Sequence, residues 1–180
     1  FEIHSPDIPE ESQCSEAWQV AEDIAKQKGQ AVWKDWQLRA GEMFLISSDT
    51  IVVLDGKIYG KPKDREDAKN ILNELSGRTH EVITGVYFCF QNQNEKIVEK
   101  SFHVSTDVTF RAIDHWLLES YLNTGDSLDK AGAYGIQGPS LTFIEKLNGS
   151  YSNVVGFPLD QVIMEMKKLL GENFHERFAK

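Results

Sequence analysis

The segment DREDAKNILNELSG carries both the start and the stop signal of a helix within one short stretch. Asp64 can cap its N-terminus, Ala68, Ile71, Leu72 and Leu75 form an apolar stripe, and Gly77 follows as the stop. β-type patterns stand on both sides of it. Upstream, the apolar run MFLIS (residues 43–47) suits a buried strand ending at Ser48-Asp49-Thr50, and IVVLDGKIYG reads as a hairpin turning at Asp55-Gly56. Downstream, HEVITGVYFCFQ and KIVEKSFHVSTDVTF are rich in β-branched and aromatic residues and predict two longer strands.

Further elements fill in around this centre. Residues 15–36 place Ala17, Val20, Ala21, Ile24, Ala25 and Val32 near helical spacing. Asp114 opens a second capped helix, HWLLESYLNTG, stopped at Gly125. LTFIEKLNG predicts a strand, and residues 159–170 a closing helix after Pro158. FEIH at the start is strand-like. Phe110, Trp116 and the aromatic strand residues are expected in the core. No repeat or linker divides the chain, so residues 1–180 are expected to form one domain, α/β or α+β, with partly antiparallel pairing.

Composition removes several function classes. No apolar run is long enough for a membrane span, and FEIHSPDIPEESQ is no signal peptide, which leads to the expectation of a cytoplasmic protein. Cys14 and Cys89 lie far apart and read as reduced thiols, while the five His residues show no metal-ligand spacing. A net charge of −9 argues against gripping a nucleic-acid polymer, yet a small anion can still be met by a local cluster of lysines.

Two places could carry chemistry. Asp49 stands at the end of a buried strand between Ser48 and Thr50, and Gly60-Lys61-Pro62-Lys63 follows with a cation on a rigid proline turn. An aspartate to hold a metal or activate water, with a lysine for phosphate, is a minimal phosphoryl-transfer kit. A capping Asp and a solvated Lys fit the same residues. In KAGAYGIQG, glycines permit close backbone approach to a ligand, and Gln137 offers the donor and acceptor that read a base edge. A glycine-rich connection between helix and strand is the plainer alternative.

Longer motifs point one way. SSDTIVVLDGKIYGKPKDREDAKNILNELSGRTHEVITGV resembles the central signature of the Maf family, and DKAGAYGIQG with GSYSNVVGFPL resembles its C-terminal signature. The resemblance implies a Maf/inosine-triphosphatase-like α/β fold, a mixed sheet flanked by helices with an active-site cleft. It also implies a nucleoside triphosphate pyrophosphatase that cuts its substrate to the monophosphate and pyrophosphate. Asp49 matches the family's proton acceptor. Thr50 and Gln137 match positions linked to substrate choice, and Lys61 a lysine that contacts phosphate. Glu10 in PDIPEE matches an acidic site residue, with Glu11 a near competitor, and Lys28 in AKQKGQAV matches a further site lysine. Arg78, Thr79 and His80 match the pattern too, where a structural role fits equally well.

The same resemblance implies a divalent cation, Mg²⁺, held mainly by carboxylates, with Asp49 and Glu10 as ligands. SSDT and YGIQG resemble the branch acting on dTTP and UTP rather than the one acting on 7-methyl-GTP. A non-catalytic regulatory or nucleotide-binding protein is the alternative from another class. A homodimer is implied, and no nucleic-acid polymer or membrane as partner. The family pattern opens with a strand and an SxSPRR phosphate loop upstream of FEIH. Both are expected to precede residue 1, and a chain without them is expected to bind nucleotide poorly.

Overall fold

The computed structural model describes residues 1–36 and 41–171. Its elements run α1 (Ala17–Trp36), β1 (Met43–Leu54), β2 (Lys57–Tyr59), α2 (Arg65–Leu75), β3 (Thr79–Gln91), β4 (Ile97–Phe110), α3 (His115–Leu122), β5 (Ile144–Asn148), α4 (Tyr151–Val155) and α5 (Leu159–Leu170). Five strands form one sheet in the order β2-β1-β3-β4-β5. Every pairing among the described residues is antiparallel, within the expected α/β architecture. The connectivity suits this: β1 and β2 form a hairpin, α2 carries the chain from β2 past β1 to β3 on its other side, and a short link joins β3 to β4.

α2 forms where its signals lie. The Asp64 side chain accepts from Asp67 N at 2.8 Å, a cap worth about 1 kcal/mol. Ala68, Ile71, Leu72 and Leu75 are buried together with Val52, Val82, Val108, Phe110, Tyr134 and Phe143 in the main core. The Asp55-Gly56 turn has positive φ at both residues (51° and 79°), the conformation that suits a two-residue hairpin. Val52 pairs with Tyr59 across it.

Four expectations change. FEIH forms no strand: residues 1–14 hold no regular element, and Phe1 and Ile3 are exposed with no neighbouring strand among the described residues. β1 does not end at Ser48-Asp49-Thr50 but runs through it, because each of these residues has a partner in β3, Asp49 opposite Gly85 and Thr50 opposite Thr84. LTFIEKLNG is split into a tight helical turn (Pro139–Phe143) and a shorter strand, β5. Trp116 is 75% exposed rather than in the core, since α3 turns Leu118, Tyr121 and Leu122 inward and leaves Trp116 on its outer face.

β3 is buried along nearly its whole length, as a central strand covered on both faces must be. On one face, α1 packs Ala21 against Ile51, Val53 and Ile83, and Ala25 and Trp33 against Leu45, Tyr87 and Cys89. On the other, α5 packs Val162 and Met166 against Val86 and Phe88. Cys14 and Cys89 are both free thiols. No helix among the described residues is long and apolar enough to cross a membrane.

Candidate active site

β2 covers only Val52–Leu54 of β1, and alongside the remainder of that edge lies a cleft of about 630 Å³. Its wall draws on the N-terminal loop, α1, β1, the β2 hairpin, the connection from residue 126 to 138, and the end of α4. Glu10, Lys28, Asp49, Thr50, Lys61 and Gln137 all line it, so the fold brings these six residues to one cleft.

Close helix–sheet contact places the charged group. A Cβ on Gly85 would come within 2.3 Å of Ala21 backbone atoms, and one on Gly29 within 2.5 Å of Ser47 Oγ and the Tyr87 ring. Glycine at both positions lets α1 lie directly on the strands, with Ser47 Oγ donating to Ala25 O at 2.7 Å. Lys28 thereby reaches Asp49, Nζ donating to Oδ1 at 2.6 Å, and also Glu10 Oε1 at 2.7 Å. The loop that carries Glu10 is pinned to α1. Ser12 donates to Asp23 at 2.6 Å, and Gln27 donates to Glu11 O and to Asp23 at 2.9 Å each. Glu10 turns its carboxylate to the cleft, whereas Glu11 contributes its backbone carbonyl to the fastening.

Burial pushes the Asp49 carboxyl above the usual aspartate range, against the pull of Lys28. Burial also opposes the Lys28 charge, but the hydrogen bonds to Asp49 and Glu10 outweigh it and hold its pKa above the ordinary lysine value. The outcome is a charged pair whose carboxylate is more basic than a free one, a sound general base.

The opposite wall is tied together through the backbone. Gly132 N donates to Gly60 O at 3.1 Å, joining the Lys61 hairpin to the glycine-rich connection. Lys130 is anchored to Asp126 O at 2.9 Å, Asp126 Oδ1 at 3.0 Å and Asp129 at 2.7 Å. Buried Ser140 donates to Gly135 O at 2.7 Å, and Tyr134 and Ile136 turn inward while Gln137 stays exposed at the cleft. Asp126, Asp129 and Lys130 line the cleft beyond the six expected residues; Lys130 opens the glycine-rich stretch singled out in the sequence, and the two carboxylates stand just before it.

Three lysines and four carboxylates among the described residues line the cleft, so its wall does not by itself offset a triphosphate. Asp49 and Glu10 converge on one ammonium, and two carboxylates are what Mg²⁺ takes from a protein when phosphate oxygens complete its sphere. No group of three or more His, Cys, Asp and Glu suited to a metal occurs among the described residues. The donor set therefore fits a cation held jointly with a phosphorylated ligand.

Arg78, Thr79 and His80 do not line the cleft. Arg78 pairs with Asp55 at 2.5 Å, Thr79 with Thr109 at 2.8 Å, and His80 Nε2 with the Tyr134 hydroxyl at 2.7 Å. His80 is 2% exposed, and burial lowers its pKa from 6.5 to about 4. The folded state thus resists a proton that the unfolded chain takes up at 6.5. Stability from this group is complete above pH 6.5 and is lost as pH falls toward 4, by roughly 3 kcal/mol in all. Denaturant melts at pH 7 and pH 4.5 are expected to show this fall in the native chain and a smaller one in His80→Gln; equal falls would remove His80 as its source.

Residues 1–169 match the family described as Maf-like protein. The chain belongs to the Maf family. Relatives of the Maf chain include a protein of Halalkalibacterium halodurans, 41% identical over 149 residues, covering 83% of this chain and 74% of the relative. One from Thermococcus onnurineus is 39% identical over 169 residues, covering 94% and 86%. One from Thermotoga maritima is 42% identical over 162 residues, covering 90% and 76%. All three carry the name dTTP/UTP pyrophosphatase.

Proposed function

We infer that this Maf protein is a nucleoside triphosphate pyrophosphatase that hydrolyses dTTP and UTP to the monophosphate and pyrophosphate. The observation that carries the reading is Asp49, buried beside Lys28 on the wall of a cleft that Lys61 and Gln137 also line. The names of the relatives supply the substrate class.

In this reading Asp49 takes a proton from a water molecule as its oxygen attacks the α-phosphorus. The bond between that phosphorus and the oxygen bridging to the β-phosphate breaks, and pyrophosphate leaves with the electron pair. Lys28 keeps Asp49 ionised and oriented, and Lys61 stabilises charge on the phosphates. Gln137 and Thr50 read the base. A divalent cation held by Asp49 and Glu10 would neutralise charge on the triphosphate. Positioning and electrostatics carry most of the rate in chemistry of this kind.

The test is pyrophosphate release with Mg²⁺ from dTTP, UTP, CTP, ATP, GTP and 7-methyl-GTP. Turnover of dTTP and UTP well above the others is expected. Preference for 7-methyl-GTP would overturn the substrate assignment, and release from none of the six would overturn the enzymatic reading.

A further inference from the structure

Neighbouring residues on a strand face opposite sides of the sheet, so Asp49 and Thr50 serve different parts of the cleft. Asp49 faces α1 with Lys28. Thr50 faces the other side, toward α4, where a Cβ on Gly156 would lie 3.3 Å from its Oγ1. Val52, Val82, Val154 and Val155 also line the cleft, giving this side an apolar wall suited to a flat base rather than to phosphate.

Thr50 Oγ1 lies 2.9 Å from Thr84 Oγ1, directly across the β1–β3 ladder. Distance alone leaves the donor open. Thr84, however, also lies 2.9 Å from the backbone oxygen of Asn153, which can only accept. A threonine hydroxyl has one proton, and that of Thr84 is committed to Asn153. The contact between the threonines must then run from Thr50 to Thr84. Thr50 has given away its own proton and turns only lone pairs to the cleft.

Asn153 is held so that this direction cannot easily reverse. Its side chain is fully buried, and Nδ2 donates to Val82 O and to Thr106 Oγ1, each at 3.0 Å. Ser48 Oγ donates to Gly156 O at 3.0 Å and ties the end of α4 to β1. The carbonyl that takes the Thr84 proton thus belongs to a rigid turn.

We propose that Thr84 and Asn153 are positioning residues that lock Thr50 as a hydrogen-bond acceptor, so that the cleft selects the N3–H of uracil and thymine and rejects cytosine. This rests on the pyrophosphatase reading. Uracil and thymine present a donor at N3, whereas N3 of cytosine is itself an acceptor and would face the Thr50 lone pairs. Phosphate oxygens are acceptors as well, so Thr50 cannot serve the triphosphate. The 5-methyl group plays no part in this contact, which accounts for a cleft that takes both dTTP and UTP.

The experiment compares kcat/KM for UTP and CTP in the native chain, Thr84→Val, Thr84→Ser and Thr50→Val. Valine keeps the shape of Thr84 and removes its hydroxyl, freeing the Thr50 proton to turn to the cleft and meet cytosine N3. The UTP:CTP ratio is expected to fall about tenfold, the size of one neutral hydrogen bond, and to return in Thr84→Ser. Both substrates read the same folded molecules, so partial unfolding cancels in the ratio. Thr50→Val removes the acceptor itself and is expected to lose the same preference should Thr84→Val not fold. An unchanged ratio in Thr84→Val, or a native chain that takes CTP as readily as UTP, would overturn the proposal. Calorimetric binding of UMP and CMP separates it from the reading beneath it. A uridine preference that vanishes in Thr84→Val without any hydrolysis would sink the enzyme and keep the acceptor, and hydrolysis with no such preference would do the reverse.

Discussion

Replacing Asp49 by Asn is expected to lower kcat/KM for UTP and dTTP by about 10³-fold while leaving the fold intact, the usual scale for a lost general base. Asn keeps the size of Asp and can still accept from Lys28, so α1 should remain seated. What is lost is the group that takes the proton. The pH dependence gives a second view of the same carboxyl. Burial raises Asp49 above the ordinary 3.8, so activity should fall, as pH drops, through a midpoint above that value. Lys28 pulls in the opposite direction, and Lys28→Met should therefore move the acid limb to higher pH. A kcat/KM–pH profile that Lys28→Met leaves unmoved would show that the limb belongs to another group. An Asp49→Asn protein retaining most of its turnover would remove Asp49 from the chemistry.

Gly85→Ala is expected to cost about 3 kcal/mol of stability, the upper part of the usual range for overpacking. The added methyl would lie 2.3 Å from the Ala21 carbonyl and 2.4 Å from Glu22 N, and backbone atoms cannot rotate out of the way. Either α1 lifts from the sheet or β3 bends. Gly85 stands opposite Asp49 in the ladder, so a lifted α1 also draws Lys28 away from its partner. Denaturant melts and kcat/KM should therefore fall together. Gly60→Ala is the comparison, because nothing lies within 4 Å of a Cβ there, and it should melt like the native chain. Native-like melting of Gly85→Ala would show that the helix–sheet spacing has more slack than these distances allow.

What the sequence determined by itself was whatever depends on near neighbours in the chain. The Asp64 cap, the Ala68–Leu75 stripe and the Gly77 stop act within one helix, and α2 formed where they stand. The Asp55-Gly56 turn and the closing helix after Pro158 are local in the same sense. Family resemblance then marked Glu10, Lys28, Asp49, Thr50, Lys61 and Gln137, which the fold places in one cleft. Their environment was not legible. Read locally, Ser48-Asp49-Thr50 is a strand end, and only pairing with β3 carries β1 through it and sends Asp49 and Thr50 to opposite faces. The basicity of Asp49 comes from burial under a helix that two distant glycines admit. The role of Thr84 and Asn153 has no local signal at all. A hydroxyl becomes donor or acceptor only when all its partners are present, and those partners come from β1, β3 and α4, which the folded chain alone brings together.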